Sequence, residues 1–184
     1  MSNSKQNRSA AMTVRTMAVA AMLTAMSVVI GIFCKTVLNF GNGLLRITFE
    51  NLPILLSGLL FGPLVGGMVG ACSDLVSYLL SAQSYPPNLI VTVGAALVGV
   101  IAGTGSRLLR RKKRGLRIIL SCSLAHLIGS VVVKSIGLYQ FYGMAVVWRI
   151  PVYLAVATLE ITVLCLLMKR ESFRELTDFE RGDV

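Results

Sequence analysis

Arg46, Glu50 and Asn51 lie within six residues of one another in LLRITFENLPILLSGLLFG, residues 44–62, just where a long apolar run begins. Charged groups beside hydrocarbon are costly, so each requires a partner or a ligand. A second stretch, WRIPVYL at 148–154, gathers Trp148, Arg149 and Tyr153 around Pro151. Proline lacks a backbone N–H and tends to kink a helix, so a bend near residue 147 is expected to carry these side chains as the wall of a site. Asp74, in GACSDLVSYLL, shares a helical face with Ser77 and Tyr78 at i+3 and i+4. His126 and Glu160 fall mid-way along two further apolar runs. Their expected role is structural, in mutual or backbone hydrogen bonds. Cations for carboxylates and flat rings for an aromatic system together describe a pocket for an anionic, ring-bearing ligand.

Catalysis has no comparable constellation. The chain carries no Walker loop, HExxH, GxSxG or DFG set, and no carboxylate pair suited to acid/base work. It reads as a non-enzyme with no cofactor. Cys34, Cys72, Cys122 and Cys165 stand alone, without CxxC or Cys/His clusters, so they read as small buried hydrophobes rather than metal ligands or disulfides.

The elements that position these residues follow from hydropathy. Of 184 residues, 55% are hydrophobic and 14% charged, with mean hydropathy +0.76. A soluble domain carries roughly 25% charge, so this is an integral membrane protein, all-α in class. Runs near 13–33, 89–107, 117–136 and 146–168 are each long enough to span, and 51–81 is broken by FGPLVGG into two shorter helices. Six transmembrane helices result. The tail before the first of them resembles the start of a signal peptide, but the apolar run is long and has no clear cleavage site, so it reads as a retained helix.

The net charge of +10 is clustered before span 1, between spans 4 and 5, and after span 6. Six spans put all three clusters on one side, and the positive-inside rule makes that side the cytoplasm, with both termini there. Such clusters are topology signals, not a nucleic-acid surface. The expected organisation is a tail over 1–12, a six-helix domain over 13–169 and a solvated, acidic tail over 170–184. Of 18 Lys and Arg, only Lys35, Arg46, Lys134 and Arg149 are left for the external half. Tyr78, Tyr85, Tyr139, Tyr142, Tyr153 and Trp148 gather there too. An interfacial aromatic belt and a snorkelling Arg149 are the plainer alternatives to a pocket.

Small residues are also patterned. Ala18, Ala21 and Ala25 form a row on span 1, Gly58, Gly62, Gly66 and Gly70 recur every four residues, and Ala95, Gly99 and Gly103 line span 4. Such rows let helices approach closely in lipid, and the span 1 row is free to face a partner protein.

With its basic clusters, six helices, alanine row in AAMLTA and long first external loop, the chain resembles the substrate-binding S-components of energy-coupling factor (ECF) vitamin transporters. The resemblance covers essentially the whole chain. RITFENLPILLSGLLFGPLVGGMVGACSDLVSYLL and YGMAVVWRIPVYL look most like the folate-specific branch, although branches for other vitamins share the LP…G…FGP…G…D framework. The resemblance implies a high-affinity vitamin binder in the cell membrane that does not hydrolyse ATP. It also implies a transmembrane coupling subunit and two ATP-binding subunits as partners, with Ala18, Ala21 and Ala25 contacting the coupling subunit.

Folate suits the residues. Asp74 or Asn51 can meet the pterin edge, Tyr78, Tyr85, Trp148 or Tyr153 its faces, and Lys35, Arg46, Lys134 and Arg149 the two carboxylates of its tail. Arg46 and Asn51 would flank a loop, 34–50, that closes over the ligand, while Glu50 pairs internally or holds that loop. Pantothenate, biotin and riboflavin are the alternative vitamins, and a lipid-binding membrane scaffold is the alternative outside transport. An enzyme acting on lipid phosphate is disfavoured by the missing catalytic set.

Overall fold

A computed structural model describes residues 2–40, 45–80 and 88–169. The chain folds as a helical membrane bundle. Helix α1 runs Ser2–Val37 and leads through a two-residue antiparallel ladder, β1 (Asn39–Phe40) with β2 (Leu45–Arg46), to α2 (Asn51–Phe61) and α3 (Pro63–Leu80). Helix α4 (Leu89–Leu108) follows. Then come α5 (Arg114–Ala125), a π-helical segment (His126–Val133) and α6 (Lys134–Tyr142), which succeed one another without a break. A 3₁₀ turn (Gly143–Trp148) precedes α7 (Arg149–Leu167).

Five segments are long and apolar enough to cross a membrane: Val14–Val37, Pro63–Leu80, Leu89–Leu108, Arg114–Gln140 and Val146–Leu167. The remaining apolar helix, α2, has 11 residues, about 17 Å at 1.5 Å per residue, too short to cross alone. It is sheathed by protein instead: Ile54, Leu55, Leu56 and Ser57 are all buried, in a core shared with Val98 and Ala102 of α4, Ile118 and Cys122 of α5 and Leu164 of α7. Outward-facing Leu64, Leu79, Leu108 and Leu166 meet lipid, which is as apolar as they are.

The break between α2 and α3 is made by two residues. Gly62 adopts φ +93°, a left-handed conformation that only glycine takes without strain, and its N–H closes the end of α2 on the Gly58 carbonyl at 3.0 Å. Pro63 then opens α3, where its missing N–H costs nothing. The two glycine-rich rows meet each other: a Cβ on Gly66 would lie 2.7 Å from the Gly99 carbonyl oxygen, and one on Gly103 would lie 2.5 Å from the Pro63 nitrogen. Helices α2, α3 and α4 are therefore in backbone contact, the use to which small-residue rows are put in membranes.

Three expectations change. Helix α1 extends beyond 13–33 at both ends, so the first residues continue the helix and Cys34 and Lys35 belong to its last turns rather than to a loop. The bend expected near residue 147 is a junction instead. The 3₁₀ turn ends at Trp148, and Pro151 falls in the first turn of α7, where no backbone donor is lost. Of the cysteines, Cys34 and Cys122 are buried, whereas Cys72 is exposed on the surface of α3 and Cys165 is half-buried. The acidic tail expected over 170–184 lies outside the described residues.

Candidate functional site

Polar side chains converge near one end of the bundle, at a cavity of about 60 Å³ lined by Lys35, Glu50, Asn51, Asp74, Lys134 and Arg149, with His126, Ser130 and Tyr153 beside them. These residues come from α1, the connection before α2, α2, α3, the π segment, α6 and α7. Residues distant in sequence meet here because the last turn of α1 lies beside the first turns of α2, α6 and α7.

Glu50 is the hub. Its carboxylate pairs with the Lys35 ammonium at 3.0 Å and the Lys134 ammonium at 3.5 Å. Lys35 donates onward to Ser77 Oγ at 2.8 Å, and Lys134 to Asn51 Oδ1 at 3.0 Å. Asn51 Nδ2 reaches Ser130 Oγ at 3.5 Å. The Glu50 backbone is also fixed, since Ser27 Oγ donates to its carbonyl at 2.7 Å. Burial opposes ionisation of Glu50, but Lys35 and Lys134 outweigh it and hold the carboxyl down at about 2. Room for this carboxylate comes from α1: a Cβ on Gly31 would stand 2.9 Å from Glu50 Oε2.

Asp74 is held separately, its Oδ2 accepting from Thr92 Oγ1 at 2.7 Å. Arg149, 4% exposed, is the second cationic pole. With three cations and two carboxylates among the lining side chains, and His126 counted neutral, the cavity carries one net positive charge. The π segment shapes one wall. Its i→i+5 turns are wider than α turns, and they present His126, Ser130 and then Lys134 to the same cavity. Behind the wall, His126 Nε2 and Glu160 Oε2 meet at 3.0 Å, both side chains nearly inaccessible. The mutual contact expected of this pair is thus present, and His126 also lines the cavity.

Of the candidate ligand residues, Lys35, Asn51, Asp74, Lys134, Arg149 and Tyr153 all line the cavity. Tyr78 is half-buried on α3, next to Ser77, and Trp148 is 72% exposed at the end of the 3₁₀ turn; neither is among the lining residues. Arg46 is in β2, paired by its backbone with Asn39, and its side chain lies outside what is described. Tyr85 lies outside the described residues. Internal pairing, one of the two roles expected of Glu50, is present, while Ser130 and Thr92 are not singled out by the sequence. The signal for Ser130 was its spacing of four from both His126 and Lys134. Ala18, Ala21 and Ala25 are exposed, while Leu23, Ser27, Gly31 and Cys34 of the same helix face inward.

The family described as "ECF transporter, substrate-specific component" matches residues 15–170. A curated relative, the folate transporter FolT of Clostridium novyi (strain NT), is 29% identical over 112 residues, which are 59% of this chain and 62% of that protein. The match thus spans less than two thirds of that relative's length. A crystal structure of FolT bound with folic acid has the same fold, with a TM-score of 0.63 over 81% of this chain and 89% of that one, at 24% identity. This chain belongs to the ECF transporter substrate-specific components: it is a multi-pass protein of the cell membrane and a transport subunit, not an enzyme.

Proposed function

We propose that this ECF substrate-specific component binds folate in the Lys35–Glu50–Lys134–Arg149 cavity and delivers it for uptake. The observation that carries the reading is the convergence of three cations from α1, α6 and α7 on one site beside Asp74 and Asn51. A folate tail bears two carboxylates, which Arg149 and the lysines suit, while the pterin edge presents donors for a carboxylate and an acceptor for an amide. The relationship to proteins named for folate supports the same ligand. Folate is far larger than about 60 Å³, since ligand pockets measure roughly 300–1,000 Å³. Binding therefore requires the cavity to widen and draws Lys35 or Lys134 away from Glu50.

The site faces outward in this reading, with both termini in the cytoplasm by the positive-inside rule. The exposed Ala18, Ala21 and Ala25 face receives the transmembrane coupling subunit, and two ATP-binding subunits supply the energy. Calorimetric titration of purified protein with folate tests the ligand. Saturable binding that Arg149→Ala weakens at least tenfold supports the assignment, a loss of about 1.5–3 kcal/mol being usual for a hydrogen bond to a charged group. Binding of pantothenate, biotin or riboflavin in place of folate would retain the family and overturn the substrate.

A further inference from the structure

A threonine inside a membrane helix commonly turns its hydroxyl back on its own backbone. Thr24, Thr36, Thr104, Thr158 and Thr162 do so, each donating to the carbonyl four residues earlier. Thr92, the fourth residue of α4, departs from them: its Oγ1 donates across to Asp74 Oδ2 of α3 at 2.7 Å. Its local acceptor is already occupied. The Asn88 carbonyl, with two lone pairs, receives the backbone N–H groups of Val91 and Thr92 at 3.0 and 3.3 Å. We propose that Thr92 is a positioning residue for the ligand. By fixing the Asp74 carboxylate it sets the affinity for a flat ring with adjacent N–H donors, and it leaves the carboxylate-bearing tail to the cations.

Asp74 lines the cavity and Thr92 does not, so the threonine acts through the aspartate. The terminal torsion of an aspartate is broad, and the plane of a carboxylate without a fixed partner is poorly defined. A short hydrogen bond from a neighbouring helix defines it. A carboxylate offers about four acceptor sites, and Thr92 takes one, so each oxygen keeps a site for one of two paired N–H donors. An amino group beside a ring N–H, the edge of a pterin, is such a pair. This role rests on folate being the ligand, and it separates recognition of the ring from recognition of the tail.

Thr92 is itself held in place. Asn88 caps α4, its Oδ1 accepting from the Ile90 N–H at 3.0 Å, and its Nδ2 donates to the Gly137 carbonyl of α6 at 2.6 Å. Two residues beyond Thr92, a Cβ on Gly94 would stand 2.9 Å from Lys134 Cγ. On the other side, a Cβ on Gly70 of α3 would collide with the Ala95 carbonyl. The first turns of α4 are thus packed against both the helix that carries Asp74 and the helix that carries Lys134. A binding group supported in this way stays within about 0.5 Å of its productive position.

Calorimetric titration of the purified full chain tests the role, with folate and, by displacement, with p-aminobenzoylglutamate, which is the tail without the ring. Thr92→Val keeps the shape of the side chain and removes its hydroxyl. It should weaken folate at least fivefold and leave p-aminobenzoylglutamate within twofold. Thr92→Ser, which restores the hydroxyl, should recover folate affinity to within twofold of the wild type. In an Asp74→Asn background, Thr92→Val should add less than a twofold further loss, because its effect passes through the carboxylate. Equal losses for the two ligands, or a full loss that persists beside Asp74→Asn, would make Thr92 a structural tether and overturn the role. Wild-type protein that binds no folate overturns the folate assignment and this role together, whereas equal folate binding by the wild type and Thr92→Val overturns this role alone. Thermal unfolding shows whether each variant is folded, and Thr92→Ala, with the same expected outcome, replaces Thr92→Val if the valine lowers the midpoint.

Discussion

Replacing Glu50 by Gln removes the one carboxylate that two lysines share. The carboxyl is held at about 2 against an ordinary 4.5, and at about 1.36 kcal/mol per pH unit this corresponds to about 3 kcal/mol of stabilisation. A group whose acidity is raised by folding contributes fully above its unfolded value and progressively less below it. The contribution is therefore complete above pH 4.5 and is lost as pH falls toward 2. Glu50→Gln should lower the thermal midpoint at pH 7 by roughly 6–12 °C in the absence of ligand, on the usual 2–4 °C per kcal/mol for a chain of this size. It should also flatten the decline of stability between pH 5 and pH 3. Because a ligand carboxylate must take the lysines from Glu50, the same variant should bind folate more tightly, by at least tenfold. Thermal unfolding in detergent across pH, with calorimetric titration at pH 7, reads both effects. An unchanged midpoint with an unchanged pH profile would refute the ion-pair reasoning. Weaker folate binding in a variant of normal stability would refute the competition and make Glu50 a ligand residue.

Three further outcomes follow from the packing. Gly66→Ala drives a Cβ to 2.7 Å from both the Gly58 Cα and the Gly99 carbonyl oxygen; it should cost about 1–3 kcal/mol, seen as a lowered unfolding midpoint, whereas Gly115→Ala, where nothing lies within 4 Å, should be neutral or better. His126→Ala leaves the fully buried Glu160 without its 3.0 Å partner and should cost about 3–5 kcal/mol, and His126→Leu with Glu160→Leu together should recover most of that loss in chemical denaturation. Ala21→Leu with Ala25→Leu, both on the exposed face of α1, should leave folate affinity of the isolated subunit within twofold while abolishing its copurification with the transmembrane coupling subunit.

Much of the bundle was legible because the membrane imposes simple lengths. The break at Gly62–Pro63 and the span beginnings near residues 89 and 146 follow from hydropathy, and small-residue spacing signals close helix approach, although which rows meet comes only from the fold. What was not legible depended on which of two local solutions the chain took. Pro151 is compatible with a kinked helix or with a helix that begins two residues earlier. The choice was made by Gly143, whose φ of +55° ends α6 and forces a new start. Trp148 then ends on the outside of that start, although its neighbour Arg149 is buried. Adjacent residues in a helix lie about 100° apart, so membership of one short motif says little about which member faces the site.

The polar cluster carries the same lesson with a functional consequence. Counting cations outside the basic clusters singled out Lys35, Lys134 and Arg149, which the fold brings to one cavity, but it treated them as charges waiting for a ligand. In the fold, two of the three already have a carboxylate, and the cost of burying these two lysines is offset by their pairing with Glu50. A site whose lysines are already paired this way sets a condition on what can enter. A neutral vitamin gains little from entering, because it offers nothing to the lysines it would separate from Glu50. A dianion can replace Glu50 at the lysines and still reach Arg149, while the single carboxylate of a smaller vitamin can serve only one of the two poles. On the proposed reading, the pairing of Glu50 with Lys35 and Lys134 would discriminate by charge count as well as by shape. It would also link ligand capture to movement, since the residue that must yield its partners directly precedes the buried helix α2.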